Sequence, residues 1–228
     1  MYSCTRKSAQ GLAQSLDCSF TTNLKKIDEE SDIIIIAVKD DVIPAVVDQL
    51  SYLENGKRLF LHTSGSTSLS TLTKTFSKCG IFWPPQSIKK GSKIDMRQTP
   101  FMVVAEGNSI KGVSTFAKRI SKKVNVVTEE QKSNLHLAAV FANNFTNHFF
   151  GIAHDICKKQ ELDFDLLLPI IKETAAKITS GNPRSLQTGP AIRGDEDTIK
   201  NHKRLLKSNP HLKKIYTLLT ESIQANLK

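Results

Sequence analysis

The stretch Asp32-Ile33-Ile34-Ile35-Ile36-Ala37-Val38 decides the fold of this chain. A continuous β-branched run of this kind is typical of a parallel strand that helices cover on both faces. Lys39-Asp40-Asp41 ends the run, and Asp41 is placed to cap a helix over residues 42–53. Pro44 falls in the first turn of that helix, where its missing N–H costs nothing.

Outward from this strand, residues 1–127 alternate between strand and helix patterns. Further strands are predicted at residues 58–62, 81–83, 101–105 and 124–127, a strand stub at residues 1–3, and helices at residues 8–16, 69–77 and 110–121. Alternation of this kind predicts an α/β domain with a mostly parallel sheet.

After residue 127 the pattern becomes entirely helical. Helices are predicted at residues 129–159, 164–179, 195–207 and 210–226. Residues 128–228 are therefore predicted to form a second, all-α domain.

The composition is that of an ordinary soluble globular chain, with 228 residues and a formal net charge of +10. Residues 200–228 hold seven Lys/Arg and one acid, which raises the possibility of a nucleic-acid partner. No aromatic platform accompanies these charges, so they are interpreted as solvated helix faces and no nucleic-acid partner is expected. Four scattered cysteines without a CxxC pair, and no signal peptide, predict a cytoplasmic protein.

Residues 133–154 form 22 consecutive positions without Asp, Glu, Lys or Arg. A membrane span is rejected because the side chains of polar residues in this stretch would be costly in hydrocarbon; they include Asn143, Asn144, Asn147, His136, His148 and His154. At 100° per residue, one stripe is apolar and predicted to face the core; it holds Ala138, Phe145, Phe149, Ile152 and Ile156.

The opposite stripe of the same helix holds His136, Asn143, Asn147 and His154. One interpretation is a solvent-facing polar stripe. The other is a mostly buried helix whose amides and imidazoles line a cleft, orient a polar substrate and handle protons. No metal site is expected, because His136 and His154 are five turns apart on one helix.

Two polar loops are further candidates. Residues 62–66 (His-Thr-Ser-Gly-Ser) follow a strand, at the sheet edge where open α/β sheets bind ligands, although a plain turn with a capping serine is equally compatible. No GxSxG surrounds Ser64, so an esterase nucleophile is not expected. The second loop comprises residues 189–195, where Asp195 can cap the following helix. Arg193 in the same loop carries a guanidinium group that can donate two hydrogen bonds to a carboxylate or phosphate.

Five segments together resemble a known family: residues 31–40, 62–66, 82–87 (Phe-Trp-Pro-Pro-Gln-Ser), 136–147 and 188–195. They are similar to the Rossmann-like oxidoreductases related to pyrroline-5-carboxylate reductase. The last two segments resemble the subgroup whose C-terminal helical domain has no assigned function and is similar to the helical domain of 6-phosphogluconate dehydrogenase.

This resemblance implies an NADP-binding Rossmann domain and a helical domain that pairs into a homodimer. The implied cofactor-binding residues are Ala37, Val38, Lys39, Ser64, Gly65 and, for the 2′-phosphate, Arg6 or Lys7. The implied catalytic residues are His136, Asn143, Asn147 and Ser64, with Arg193 contributing to the substrate site between the domains.

Two departures from the family pattern matter. The G-x-G-x-x-G turn that receives the pyrophosphate is missing, together with its strand and helix, so NADP binding by this chain is expected to be impaired. Related dehydrogenases carry a lysine and an asparagine four residues apart on this helix, whereas here the pair Asn143 and Asn147 has the spacing but no lysine. The leading hypothesis is an NADP-dependent oxidoreductase acting on a small polar substrate; the alternative is a non-catalytic dimeric ligand-binding or regulatory protein.

Overall fold

The computed structural model describes residues 1–88, 91 and 93–225. The chain divides into two compact units, Met1–Phe150 and Gly151–Lys228. The predicted boundary at residue 128 lies inside the first unit, and residue 226, the predicted end of the last helix, lies outside the described residues.

The first unit is built on a five-stranded sheet whose strands are adjacent in chain order. The strands are β1 (Ile33–Ile36), β2 (Leu59–His62), β3 (Cys79–Trp83), β4 (Phe101–Ala105) and β5 (Val124–Val126). The pairs β1–β2, β2–β3 and β4–β5 are parallel, and only β3–β4 is antiparallel. The predicted mostly parallel α/β fold is therefore confirmed.

The α-helices of this unit alternate with the strands along part of the chain. They are α1 (Arg6–Leu16), α2 (Ile43–Leu50), α3 (Ser70–Thr73), α4 (Ser109–Ile120) and α5 (Glu129–Ala139), after which a π-helical segment (Val140–Phe145) leads into α6 (Thr146–Lys159). Tyr2, in the predicted strand stub, makes a single parallel bridge with Thr21 and lies outside the five-stranded sheet.

The predicted cap at Asp41 is wrong. A short 3-10 turn over Asp40–Val42 precedes α2, and the helix begins after Val42 without any side-chain cap. Pro44 does lie in the first turn. Instead of capping a helix, the neighbouring carboxylate of Asp40 accepts a hydrogen bond from the Ser66 hydroxyl at 2.5 Å.

Two apolar layers enclose the sheet. On one face Phe60 stacks on Phe76 with ring centroids 3.6 Å apart, and on the other Phe82 stacks on Phe101 at 4.2 Å. At β1 the prediction that both faces are covered is wrong, because Ile34 and Ile36 are buried whereas Ile35 is 45% exposed. β1 is one of the two edge strands of the described sheet, and Ile33 is the residue of β1 that packs against the apolar layer on the α4 side.

The long helix departs from its prediction as well. The π-helical segment interrupts the regular α-helix, so arithmetic at 100° per residue does not hold from Val140 onward. The predicted core-facing seam is wrong: Ala138, Phe145, Phe149 and Ile156 are exposed, and Ile152 is only half-buried. Among the described residues, no helix is both long and apolar enough to cross a membrane.

The second unit is helical, as predicted. Its helices, beyond the end of α6, are α7 (Leu168–Lys177), α8 (Pro190–Arg193), α9 (Glu196–Leu205) and α10 (Pro210–Ala225). Asp195 caps α9 by accepting a hydrogen bond from the Thr198 N–H at 3.1 Å, which confirms that prediction. Within the described part of this unit, only Ala191, Ile199 and Thr220 are buried.

Candidate active site at the carboxyl edge of the sheet

The loops that follow β1 and β2 lie side by side at the carboxyl edge of the sheet. The Thr63 N–H donates to the Ile36 carbonyl at 3.3 Å, and the Ser66 hydroxyl reaches Asp40 on the other loop. The predicted cofactor-binding residues after β1 are thereby neighbours of those after β2. They are Ala37, Val38 and Lys39 on one loop, and Ser64 and Gly65 on the other.

The loop after β2 is organised by its own side chains. The Ser64 hydroxyl oxygen accepts hydrogen bonds from the backbone N–H groups of Ser66 and Thr67 at 3.2 and 2.9 Å. The Ser64 N–H donates in turn to Nδ1 of His62 at 3.2 Å. Because Ser64 is buried and its oxygen is engaged within the turn, its observed contacts hold the shape of the loop.

His62 is fully buried at the end of β2. Desolvation, reinforced by the nearby ammonium of Lys132, lowers the pKa of its imidazole to about 4. The ring is therefore neutral at pH 7, with Nδ1 free of a proton so that it can accept from Ser64. The Ser68 backbone and the nearby carboxylates of Asp40 and Glu129 act in the opposite direction and raise that pKa.

Helix α5 passes directly over this loop. A Cβ atom on Gly65 would lie 2.5 Å from Cδ2 of His136 and 2.8 Å from the indole ring of Trp83. The rings of Trp83 and His136 are themselves adjacent, with centroids 5.6 Å apart. Only glycine fits at position 65, because two rigid rings occupy the space that a side chain would need.

A pocket of about 270 Å³ opens beside these two rings. It is lined by Trp83, Pro85, Gln86, Ser87, His136, Ala139, Val140, Asn143 and Asn144. Each of the two segments that line it, residues 83–87 and 136–144, carries both apolar and polar side chains. These described lining residues include no Asp, Glu, Lys or Arg. The pocket therefore suits the part of a ligand that is polar but carries no charge.

The π-helical segment explains how two consecutive asparagines reach this pocket. Asn143 and Asn144 both belong to it, and the Thr146 hydroxyl donates to the Phe141 carbonyl five residues earlier at 3.2 Å. A π-turn widens the helix and reorients the side chains within it, and such turns occur frequently at functional sites.

The remaining predicted site residues lie elsewhere. Asn147 is exposed and does not line this pocket, and Arg6 and Lys7 are exposed at the start of α1. Arg193 is exposed at the end of α8 in the second unit. No group of potential metal ligands occurs among the described residues.

Sequence reasoning missed two parts of this site. It quoted Trp83, Gln86 and Ser87 within a motif but assigned them no role. It also overlooked Lys132, which is fully buried and whose ammonium donates to the Thr67 carbonyl at 2.6 Å. The available signal was the spacing of four residues between Lys132 and His136, which puts both on one face of α5.

A sequence profile described as Domain of unknown function (DUF2520) matches residues 99–223, more than half of the chain. A solved structure from Bacteroides fragilis, to which NADP oxidoreductase activity is ascribed, is 35% identical with a TM-score of 0.90. The match covers 98% of this chain and 87% of that one. The chain belongs to the DUF2520 family.

More distant structures share the fold of this DUF2520 protein. An imine reductase from Myxococcus stipitatus in complex with NADP+ is 13% identical, with a TM-score of 0.67 and 98% and 82% of the two chains covered. Pyrroline carboxylate reductase from Plasmodium falciparum with NADP bound is 15% identical, with a TM-score of 0.59 and 98% and 86% covered. The Rossmann-like fold and the resemblance to pyrroline-5-carboxylate reductases are therefore confirmed. A search of curated proteins found no match to the sequence.

Proposed function

We propose that this DUF2520 protein is an NADP-dependent oxidoreductase that acts on a small polar substrate at the carboxyl edge of its sheet. The observation that carries the proposal is the contact of Gly65 with both Trp83 and His136. This contact connects two parts of the proposed site. One is the loop that would hold the nicotinamide, and the other is the pocket that would hold the substrate. The 35% identical relative with its ascribed NADP oxidoreductase activity supports the same assignment.

The residues present fit one part of the cofactor. Ala37 is small and exposed directly after β1, which leaves room for a ligand close to the backbone, and the exposed Lys39 supplies a cation for phosphate. We propose Arg6 or Lys7, at the start of α1, for the 2′-phosphate. A G-x-G-x-x-G turn does not occur in the 228 residues, so we expect a weak contribution from the pyrophosphate.

NADPH supplies a hydride when bound, and the protein has to bind, orient and protonate the substrate. His136 can hold or release a proton at the pocket wall, as histidine does in general acid–base catalysis. The Asn143 amide can fix a polar substrate atom by hydrogen bonding, while Trp83 and Pro85 exclude water. We also propose Asn147 and Arg193 as substrate contacts.

The activity test combines cofactor binding with a substrate screen. Calorimetric titration should give measurable but weak NADPH binding, and a screen of imines, keto acids and hydroxy acids should find NADPH-dependent turnover. Asn143→Ala should lower that turnover about 100-fold, because the group that orients the substrate is lost. Asn134→Ala, an exposed asparagine on α5 that does not line the pocket, is the matched control.

Two results would count against the enzyme. NADPH binding without turnover on any screened substrate would favour the non-catalytic ligand-binding protein. Equal turnover by Asn143→Ala and Asn134→Ala would remove the pocket from the mechanism.

We also propose that two copies of the chain pair through the second unit. Large apolar side chains are exposed there, among them Leu166 and Leu205 at 70% each, although this unit has few buried residues of its own. A surface of this kind usually marks an interface.

Light scattering after gel filtration should give twice the chain mass of 25.3 kDa. A Leu166→Glu/Leu205→Glu variant should give the monomer mass with unchanged helical circular dichroism. A monomeric parent protein would contradict the dimer.

We further propose a reducing, cytoplasmic location, consistent with four free cysteines.

A further inference from the structure

We propose that Lys132 is a positioning residue, which holds the loop after β2 against α5 so that Gly65 stays in contact with His136 and Trp83. The inference rests on the proposed function, because it assigns this loop to the nicotinamide. It adds a residue that is not among those lining the pocket and whose ammonium donates to Thr67.

The contacts of α5 with the loop form three steps along one face of the helix. The Glu129 carboxylate accepts from the Leu69 N–H at 3.0 Å, and the Lys132 ammonium donates to the Thr67 carbonyl at 2.6 Å. One turn further on, His136 lies against Gly65. The spacing of three and four residues keeps all three side chains on the same side of α5.

The burial of Lys132 is the unusual part of this arrangement. The side chain is fully buried, and no ion pair within 4 Å involves it in the described structure. Desolvation lowers its pKa, an effect that the nearby carboxylates of Glu129 and Asp40 partly oppose. Burying a cation without a close counter-ion is costly, and an apolar side chain of similar length does not carry that desolvation penalty. The lysine is therefore better explained by the geometry it enforces than by the stability it adds.

Lys132 also lies near His62, the residue from which the loop starts. Desolvation is the main cause that lowers the pKa of that imidazole, and the charge of Lys132 acts in the same direction. Nδ1 of His62 accepts the Ser64 N–H, and the Lys132 ammonium donates to the Thr67 carbonyl. Gly65 lies between Ser64 and Thr67, so these two hydrogen bonds hold the chain on both sides of it.

Trp83 provides a direct readout, because it is the only tryptophan in the chain and it contacts both Gly65 and His136. Lys132→Met removes the donor and the charge while preserving length. We expect a red shift of the Trp83 emission and about a twofold rise in its quenching by acrylamide, since the loop no longer shields the indole ring. Lys132→Arg should restore most of the parent signal, and Lys118→Met, at an exposed lysine on α4, should leave it unchanged.

The unfolding transition and the turnover complete the test. We expect Lys132→Met to unfold at a denaturant midpoint equal to or above that of the parent protein, while turnover of any substrate found in the screen falls at least roughly 10-fold. A parent-like Trp83 signal in Lys132→Met would overturn the proposal. So would a loss of stability that accounts for the whole spectral change, because the role of Lys132 would then be structural only.

The two proposals can fail separately. If NADPH does not bind the parent chain but Lys132→Met still changes the Trp83 signal, the positioning role of Lys132 stands and the cofactor assignment fails. If NADPH binds and the Trp83 signal does not respond to Lys132→Met, the reverse holds.

Discussion

Gly65→Ala is expected to cause the largest loss of function of any single methyl group added to this protein. The new Cβ would lie 2.5 Å from the His136 ring and 2.8 and 2.9 Å from two atoms of the Trp83 ring. Neither ring can move without disturbing the pocket wall it forms. Overpacking of this kind costs about 1–3 kcal/mol of stability, and a displacement of about 1 Å at a reacting centre can cost about 100-fold in rate.

Chemical denaturation and the NADPH-dependent assay would measure these two effects. Gly112→Ala is the matched control, because a Cβ there meets its nearest neighbour at an ordinary 3.7 Å in the middle of α4. Alanine favours a helix over glycine by about 1 kcal/mol, so this control should be as stable as the parent or more so. If Gly65→Ala and Gly112→Ala have the same stability and the same turnover, the close contact between α5 and the loop at Gly65 is refuted.

The second large effect is a loss of stability in acid caused by His62. Its folded-state pKa of about 4 lies below the ordinary value of 6.5, so the unfolded chain binds more protons between these pH values. Stability is therefore full above pH 6.5 and declines as the pH falls toward 4. At about 1.4 kcal/mol per pKa unit, the loss amounts to about 3 kcal/mol.

Unfolding midpoints measured from pH 7 to pH 4 would test this prediction. His62→Asn keeps an acceptor for the Ser64 N–H but cannot titrate, so its stability should fall much less steeply over that range. His148→Gln changes an exposed histidine and should follow the parent profile. Glu54, whose carboxyl pKa is lowered by hydrogen bonds from Gly56 and Ser77, is present in all three proteins and so does not affect the comparison. A parent-like slope in His62→Asn would refute the assignment.

The sequence predicted the elements of the sheet well, because strand patterns are local. The isoleucine run and the two strands at residues 58–62 and 101–105 all form close to their predicted positions. Helix beginnings were less accurate. Asp41 had the chemistry of a cap, but the 3-10 turn at Asp40–Val42 displaced the start of α2.

The candidate site was only partly predictable. His136 and Asn143 were identified from helical spacing, and they do line one pocket. The π-helical segment was not foreseen, because it breaks the regular period on which such spacing depends. Lys132 was not foreseen either, since a lysine in the first turns of a charged helix normally faces solvent. Its partner Thr67 is 65 residues earlier in the chain, and only the folded structure brings them together.

The position of β1 at the edge of the sheet has a consequence for handling the protein. Four isoleucines in extended conformation present one row of backbone groups away from β2, and Ile35 adds an exposed apolar side chain. An edge strand of this kind can act as a template for pairing with another extended chain. The net charge of +10 opposes such contacts through repulsion, which salt screens. High salt and high concentration together are therefore the conditions under which this chain should begin to aggregate through its isoleucine strand.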